Sequence, residues 1–163
     1  MNAGSPSPRE AGRETAGHAL DTVVLDVGGV LLDWDPRHLY RKLIPDPTHM
    51  EDFLARICTA EWHAQHDLGA PFTTTIPPLV RAHPEWTAEI EAWGERFPEM
   101  WAGPVEGTVE ILNELRGDGV PVYAATNWGA DNWTTGNDLF DCLHLFDGAL
   151  VSGQVGIMKP DPR

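Results

Sequence analysis

Apolar and polar positions along the chain follow two regimes. Thr22-Val23-Val24-Leu25 is a continuous, mostly β-branched run, which suits a strand buried on both faces of a parallel sheet. Asp26-Val27-Gly28-Gly29-Val30 then interrupts it with two glycines. Between residues 35 and 101 the apolar positions recur at helical spacing instead. Asp35-Pro36 predicts a helix start, with Asp as N-cap and Pro at the first helical position. Thr48 and Glu51 have capping-box spacing, and Phe53, Leu54 and Ile57 share one face of the helix that would follow. Pro77-Pro78 is expected to break any long helix, and Ile90, Trp93, Phe97 and Trp101 carry a further helical period, interrupted by Pro98. This stretch has no convincing strand pattern and reads as a helical insertion.

From residue 105 the regimes alternate. Val109, Ile111, Leu112 and Leu115 predict an amphipathic helix ended by Gly117 and Gly119. Residues 121–126 predict a strand with Pro tolerated at its first position, a polar helix is expected from about Ala130, and residues 146–151 predict a third strand. Strands alternating with helices after a first strand imply an α/β fold with parallel pairing and right-handed crossovers.

Composition narrows the class. The 163 residues suffice for one domain with a core, or one domain plus a small insertion. Seven Trp require burial or a pocket to receive them. A formal net charge of -14 repels phosphate backbones and anionic lipid, which argues against nucleic-acid and membrane-surface roles. The two Cys, Cys58 and Cys142, fit neither a disulfide framework nor a zinc site and suit a reducing, cytoplasmic setting. Residues 1–20 are rich in Gly, Ser, Pro, Ala and charge, lack a secretory apolar region, and read as a disordered tail.

Ligands of open parallel sheets bind beyond the carboxyl ends of the strands. Three polar features fall at such ends: Asp26 after the first strand, Thr126-Asn127 after the second, and Lys159-Pro160 past the third. Asp26 can attack an electrophile and form a covalent ester or acyl phosphate. The Val27, Gly28 and Gly29 amides can form an anion-binding concavity. The Thr126 hydroxyl can donate to an anionic oxygen, and Lys159 can stabilise developing negative charge. Taken singly, each has a plainer use: Asp26 as a turn residue, Thr-Asn as a helix cap, Lys159 as a solvated side chain. Their order and placement together give them weight.

In that order the chain resembles the haloacid dehalogenase-like hydrolase superfamily. LDVGGVLLDWDPR (25–37) is similar to motif I, AATNW (124–128) to motif II, and VSGQVGIMKPDP (151–162) to the approach to motif III and its lysine. The helical insertion between motifs I and II resembles a C1 cap. The resemblance implies a Rossmann-like parallel-sheet core over 21–34 and 102–163, with three of the usual strands, and a helical cap over 35–101. It implies Asp26 as nucleophile, and Gly28, Gly29, Thr126 and the Asn127 amide around the transferring group. Lys159 would orient and neutralise, and Mg²⁺ would sit on Asp26 and the Gly28 carbonyl. The substrate would be small and anionic, a phosphate monoester being favoured over a 2-haloacid; a non-catalytic interaction domain of the same fold is the rival from another class.

Two departures bear on the chemistry. Phosphatases of the superfamily usually carry a second Asp two positions after the nucleophile, to protonate the leaving group and later activate water. Gly28 occupies that position. Motif IV, an acidic pair that completes the metal site, has no counterpart up to Arg163, so the chain resembles the front portion of such an enzyme. From this, an exposed first-strand edge, low solubility and weak Mg²⁺ binding are expected. Elsewhere, His63 and His66 with Asp67 have a possible metal spacing, but a solvated helix face is the favoured reading. Trp62, Trp86, Trp93 and Trp101 are expected mainly in core packing, and Asp33-Trp34-Asp35 could project into the cap–core cleft.

Overall fold

A computed structural model describes residues 21–162; the tail expected over 1–20 lies outside the described residues. The chain enters through β1 (Val23–Leu25), turns, and runs into β2 (Leu32–Trp34). Five helices follow: α1 (Arg37–Leu43), α2 (Pro47–Arg56), α3 (Ala60–Asp67), α4 (Phe72–Ala82) and α5 (Thr87–Glu95). Next, β3 (Trp101–Pro104) returns antiparallel to β2, so a two-stranded ribbon carries the chain out to the helices and back. The remainder is α6 (Glu106–Gly117), β4 (Val122–Thr126), α7 (Ala130–Leu139), β5 (Gly148–Val151) and the single turn α8 (Ser152–Val155). Strands β1, β4 and β5 form a parallel sheet in that order, with Val23 opposite Val122 and Tyr123 opposite Gly148. This is the α/β class that the alternating pattern predicts.

Several local expectations hold and several do not. Asp35 does cap α1: its Oδ1 accepts the Arg37 amide at 2.8 Å. At α2 the cap is Asp46 rather than Thr48, because Asp46 Oδ1 accepts the His49 amide at 2.9 Å and Pro47 takes the first helical position. Pro77 and Pro78 lie inside α4 instead of ending it. Each removes an amide four residues on from Thr73 or Thr74, both exposed, so water can satisfy the carbonyls left over. Trp101 opens β3, where a helical period was expected: its strand pairing with Trp34 overrides the spacing.

The buried face of the sheet carries Val122, Ala124, Thr126 and Val151 and packs toward α6, whose Leu112 is fully buried. The opposite face is open. Val24, Tyr123 and Leu150 are 60%, 43% and 59% exposed. The expectation that β1 is buried on both faces is therefore incorrect: no described element covers the second face, and β1 is an edge strand.

Among the helices of the insertion, aromatic packing dominates. The Tyr40 ring lies 4.9 Å from Phe53 and 5.8 Å from Trp93, and its hydroxyl donates to the Glu89 carbonyl at 2.8 Å. Each fully buried aromatic side chain contributes roughly 1.5–3 kcal/mol from area alone. The same core runs without interruption through Phe97 and Trp101 into Leu31, Leu32 and Val27, so insertion and sheet are packed as one body.

Candidate active site

Parallel strands present their carboxyl ends at one edge, and β1 and β4 deliver Asp26 and Asn127 there. Lys159 closes on them from the loop past α8. Its Nζ lies 2.7 Å from Asp26 Oδ2 and donates to the Ala125 carbonyl at 2.8 Å. The Asn127 side chain positions that loop from both sides: Oδ1 accepts the Lys159 amide at 2.8 Å, and Nδ2 donates to the Lys159 carbonyl at 3.0 Å. Thr126, beside them, is buried, and its hydroxyl has no partner among the described residues. A buried unpaired hydroxyl costs about 1–3 kcal/mol.

The turn after Asp26 is tight. The Val27 carbonyl accepts the Leu31 amide at 2.8 Å and the Leu32 amide at 3.0 Å. Gly29 sits at φ +72°, a conformation open to glycine without steric cost. The expected three-amide concavity is not what the turn offers. The Val27 amide donates to Asp26 Oδ1 and the Gly29 amide to the Leu32 carbonyl, each at 2.8 Å. Both amides are engaged in shaping the turn and aiming Asp26.

A small cleft of about 80 Å³ lies against this edge. Gly28 and Asn127 line it from the sheet side, and Trp34, Phe97, Trp101 and Trp128 supply aromatic walls. Its polar members on the insertion side are His63 and Asp67 of α3. Contrary to the expectation of a solvated face, both histidines of α3 are enclosed. His63 stacks on Trp34 at 5.2 Å, and burial pulls its imidazole down to about 3. His66 is buried, with Nδ1 2.9 Å from the Ala70 carbonyl and Nε2 3.2 Å from Thr75 Oγ1. Burial pushes the Asp67 carboxyl up to about 6. Among the described residues there is no group of three or more His, Cys, Asp or Glu that could hold a metal ion.

The structure thus brings together Asp26, Thr126, Asn127 and Lys159, with Gly28 on the adjoining cleft wall. Gly29 belongs to the supporting turn. Of Asp33-Trp34-Asp35, only Trp34 lines the cleft: Asp33 pairs with His38 at 3.2 Å and Asp35 caps α1. Trp93 is core, as expected, while Trp101 does double duty. Trp34 lines the cleft as its place in Asp33-Trp34-Asp35 suggested, whereas sequence reading missed Phe97, Trp128 and Asp67 as cleft residues. The available signal was position: Trp128 lies within AATNW (124–128).

The chemistry of the donors suits a hard cation. Asp26 and the Gly28 carbonyl would hold Mg²⁺ through oxygen, and that ion keeps several waters and takes substrate phosphate oxygens as ligands. Two protein ligands make a weak site, and Asp26 also faces Lys159.

No protein-family model matches the chain. The sesquiterpene phosphatase astK of Aspergillus oryzae is 24% identical over 149 residues, covering 85% of this chain and 67% of that protein. Among solved structures, the HAD family enzyme bt-2542 of Bacteroides thetaiotaomicron aligns with a TM-score of 0.63 at 14% identity, over 88% of this chain and 73% of that one. Its complex with magnesium and inorganic phosphate aligns at 0.60 with 16% identity, over 88% and 74% of the two chains. The L-2-haloacid dehalogenase of Xanthobacter autotrophicus, solved with chloropropionic acid covalently bound, aligns at 0.52 with 15% identity, over 88% of this chain and 61% of that one. The chain has the haloacid dehalogenase-like fold. Within the haloacid dehalogenase-like fold seen here, the β2–β3 ribbon is the stem of the helical insertion, and the aromatic cleft lies between that insertion and the strand ends. No helix among the described residues is long and apolar enough to cross a membrane.

Proposed function

We propose that the protein is a haloacid dehalogenase-like hydrolase in which Asp26 attacks a small anionic substrate, with a phosphate monoester favoured, Mg²⁺ as cofactor and the cytoplasm as its setting. The observation that carries the reading is the Asp26–Lys159 pair at 2.7 Å beside the buried, unpartnered Thr126 hydroxyl. A carboxylate, a fixed cation and a free donor at one strand edge are what in-line attack on an anionic group requires. Asp26 Oδ would bond to phosphorus as the ester oxygen leaves, and water would then cleave the acyl phosphate and restore the carboxylate. Lys159, held by Ala125 and Asn127, neutralises charge on the transferring group, and the Thr126 hydroxyl and Asn127 amide donate to its oxygens. Gly28 and Gly29 leave the approach open. When bound, Mg²⁺ would add further neutralisation of the phosphoryl oxygens. The cap, residues 35–101, would choose the substrate through the aromatic cleft, over a core of 21–34 and 102–163.

The likeness to a phosphatase by sequence supports the ester over the halide. A second reading, 2-haloacid dehalogenase, is supported by Gly28, since halide departs without a proton and needs no acid at that position. Metal dependence separates the two. The test is turnover of p-nitrophenyl phosphate with and without saturating Mg²⁺, alongside 2-chloropropionate. Asp26→Asn, stored and assayed so that deamidation is excluded, should abolish phosphate release while leaving the melting temperature unchanged. Parent-level turnover by this variant would remove Asp26 as nucleophile, and halide release without metal would favour the second reading.

A further inference from the structure

We propose that Asp67, on the cap side of the cleft, donates the proton to the leaving oxygen of the ester; this rests on the phosphate-ester reading above. An alkoxide departs poorly unless it is protonated as the bond breaks. The motif around Asp26 offers no side chain for that purpose. Gly28 has none, Asp33 pairs outward with His38, and Asp35 is engaged as a helix cap. Lys159 is already bound to Asp26 and Ala125. Asp67 is the carboxyl that lines the same cleft as Gly28 and Asn127.

Its position is held from the sheet side. Ser152 Oγ donates to the Asp67 carbonyl and accepts the Trp128 amide at 2.9 Å, tying the end of α3 to the loop after β4. The chain passes Asp67 through Gly69 at φ +99°, where a Cβ would stand 2.7 Å from the Gly153 carbonyl oxygen. Only glycine permits that close approach, so the chain just past α3 rests directly on α8. The Asp67 side chain is 17% exposed between aromatic walls.

The surroundings favour the acid form. His63 Nε2 is 3.7 Å away and, being neutral near pH 7, supplies no counter-charge. His66 turns to Ala70 and Thr75. α8 bears no titratable side chain, and at the strand edge beside the cleft Asp26 and Lys159 neutralise each other. Burial already raises the Asp67 carboxyl to about 6, and a bound phosphate dianion would raise it further. In the step itself, Asp26 forms a bond to phosphorus and the P–O ester bond breaks with its electron pair on oxygen. That oxygen takes the Asp67 proton and leaves as the alcohol. The Asp67 carboxylate then accepts a proton from the water that attacks the acyl phosphate, which releases inorganic phosphate and regenerates both carboxyl groups in their starting forms.

The experiment compares two esters with the full chain at saturating Mg²⁺. p-Nitrophenyl phosphate has a leaving group that departs as the anion; hexyl phosphate does not. In single-turnover reactions that isolate formation of the acyl phosphate, Asp67→Asn should slow hexanol release from hexyl phosphate by roughly 10²–10⁴-fold while altering p-nitrophenol release by less than about threefold. The activity retained on the aryl ester is the control for folding. The parent's fall in hexyl phosphate turnover at alkaline pH should vanish in the variant, and Asp67→Glu should recover part of the rate. Equal loss on both esters, or no loss on either, would overturn this assignment alone. Absence of turnover of both by the parent would overturn the phosphate-ester reading and this assignment with it.

Discussion

At the residue scale, burial of two ionisable groups in α3 writes opposing pH dependences into stability. Asp67 has its carboxyl raised from 3.8 to about 6, so between these values the folded state binds a proton that the unfolded state does not. Stability from this group is therefore present at acid pH and lost as pH rises through about 6. His63, lowered from 6.5 to about 3, acts the other way: its contribution grows as pH rises through that window. Asp67→Asn removes the first effect and keeps the second. It should raise stability at pH 8 by about 1–3 kcal/mol and leave it nearly unchanged near pH 4. Thermal melts of parent and variant at the two pH values check this; an equal change at both would show that packing rather than ionisation governs Asp67.

At the element scale, the start of α2 turns on which side chain reaches the orphan amides. Asp46 Oδ1 takes the His49 amide, and Glu51 is drawn away by Arg37, whose Nε lies 2.6 Å from its Oε1. Thr48 has nothing to cap. Asp46→Ala should therefore cost about 0.5–2 kcal/mol, read as a drop of a few degrees in Tm, while Thr48→Ala should cost little. The reverse pattern would restore the capping box that the Thr48–Glu51 spacing suggested. The same element shows how neighbours decide between equally good local signals: Asp46-Pro47 and Thr48…Glu51 both read as helix starts.

At the scale of the whole molecule, the sheet has one packed face and one open one. Val24 lies opposite Tyr123 on the open face, and Leu150, opposite Ala125, lies on the same face two residues further along the strands. β1 also has an unpaired edge. Contiguous apolar surface beside unpaired strand groups favours association between chains. The 163-residue protein should self-associate at micromolar concentration, seen as light scattering above that of a monomer. The double variant Val24→Thr, Leu150→Thr should reduce it. A monodisperse parent chain would show that this surface is tolerated by water.

The polar residues at strand ends and the switch between strand and helical periods were readable along the chain. Each rests on local physics: β-branched runs, capping side chains, glycine turns and apolar spacing act over a few residues. Asp26, Thr126, Asn127 and Lys159 could be singled out because parallel strands deliver their ends to one edge. What the chain alone could not reveal depends on contacts between distant segments. Pro77-Pro78 survive inside α4 because exposed carbonyls can turn to water. Trp101 becomes strand because Trp34 pairs with it, 67 residues earlier in the sequence. The α3 histidines, spaced like a surface face, are enclosed because Trp34, Phe72 and Phe97 pack on them. Asp67 becomes a buried acid only because α3 is fastened through Ser152 and Gly69 onto loops from the other half of the chain. Local sequence determined most of the elements; pairing and burial, properties of the assembled molecule, decided the β2–β3 ribbon and which side chains line the cleft.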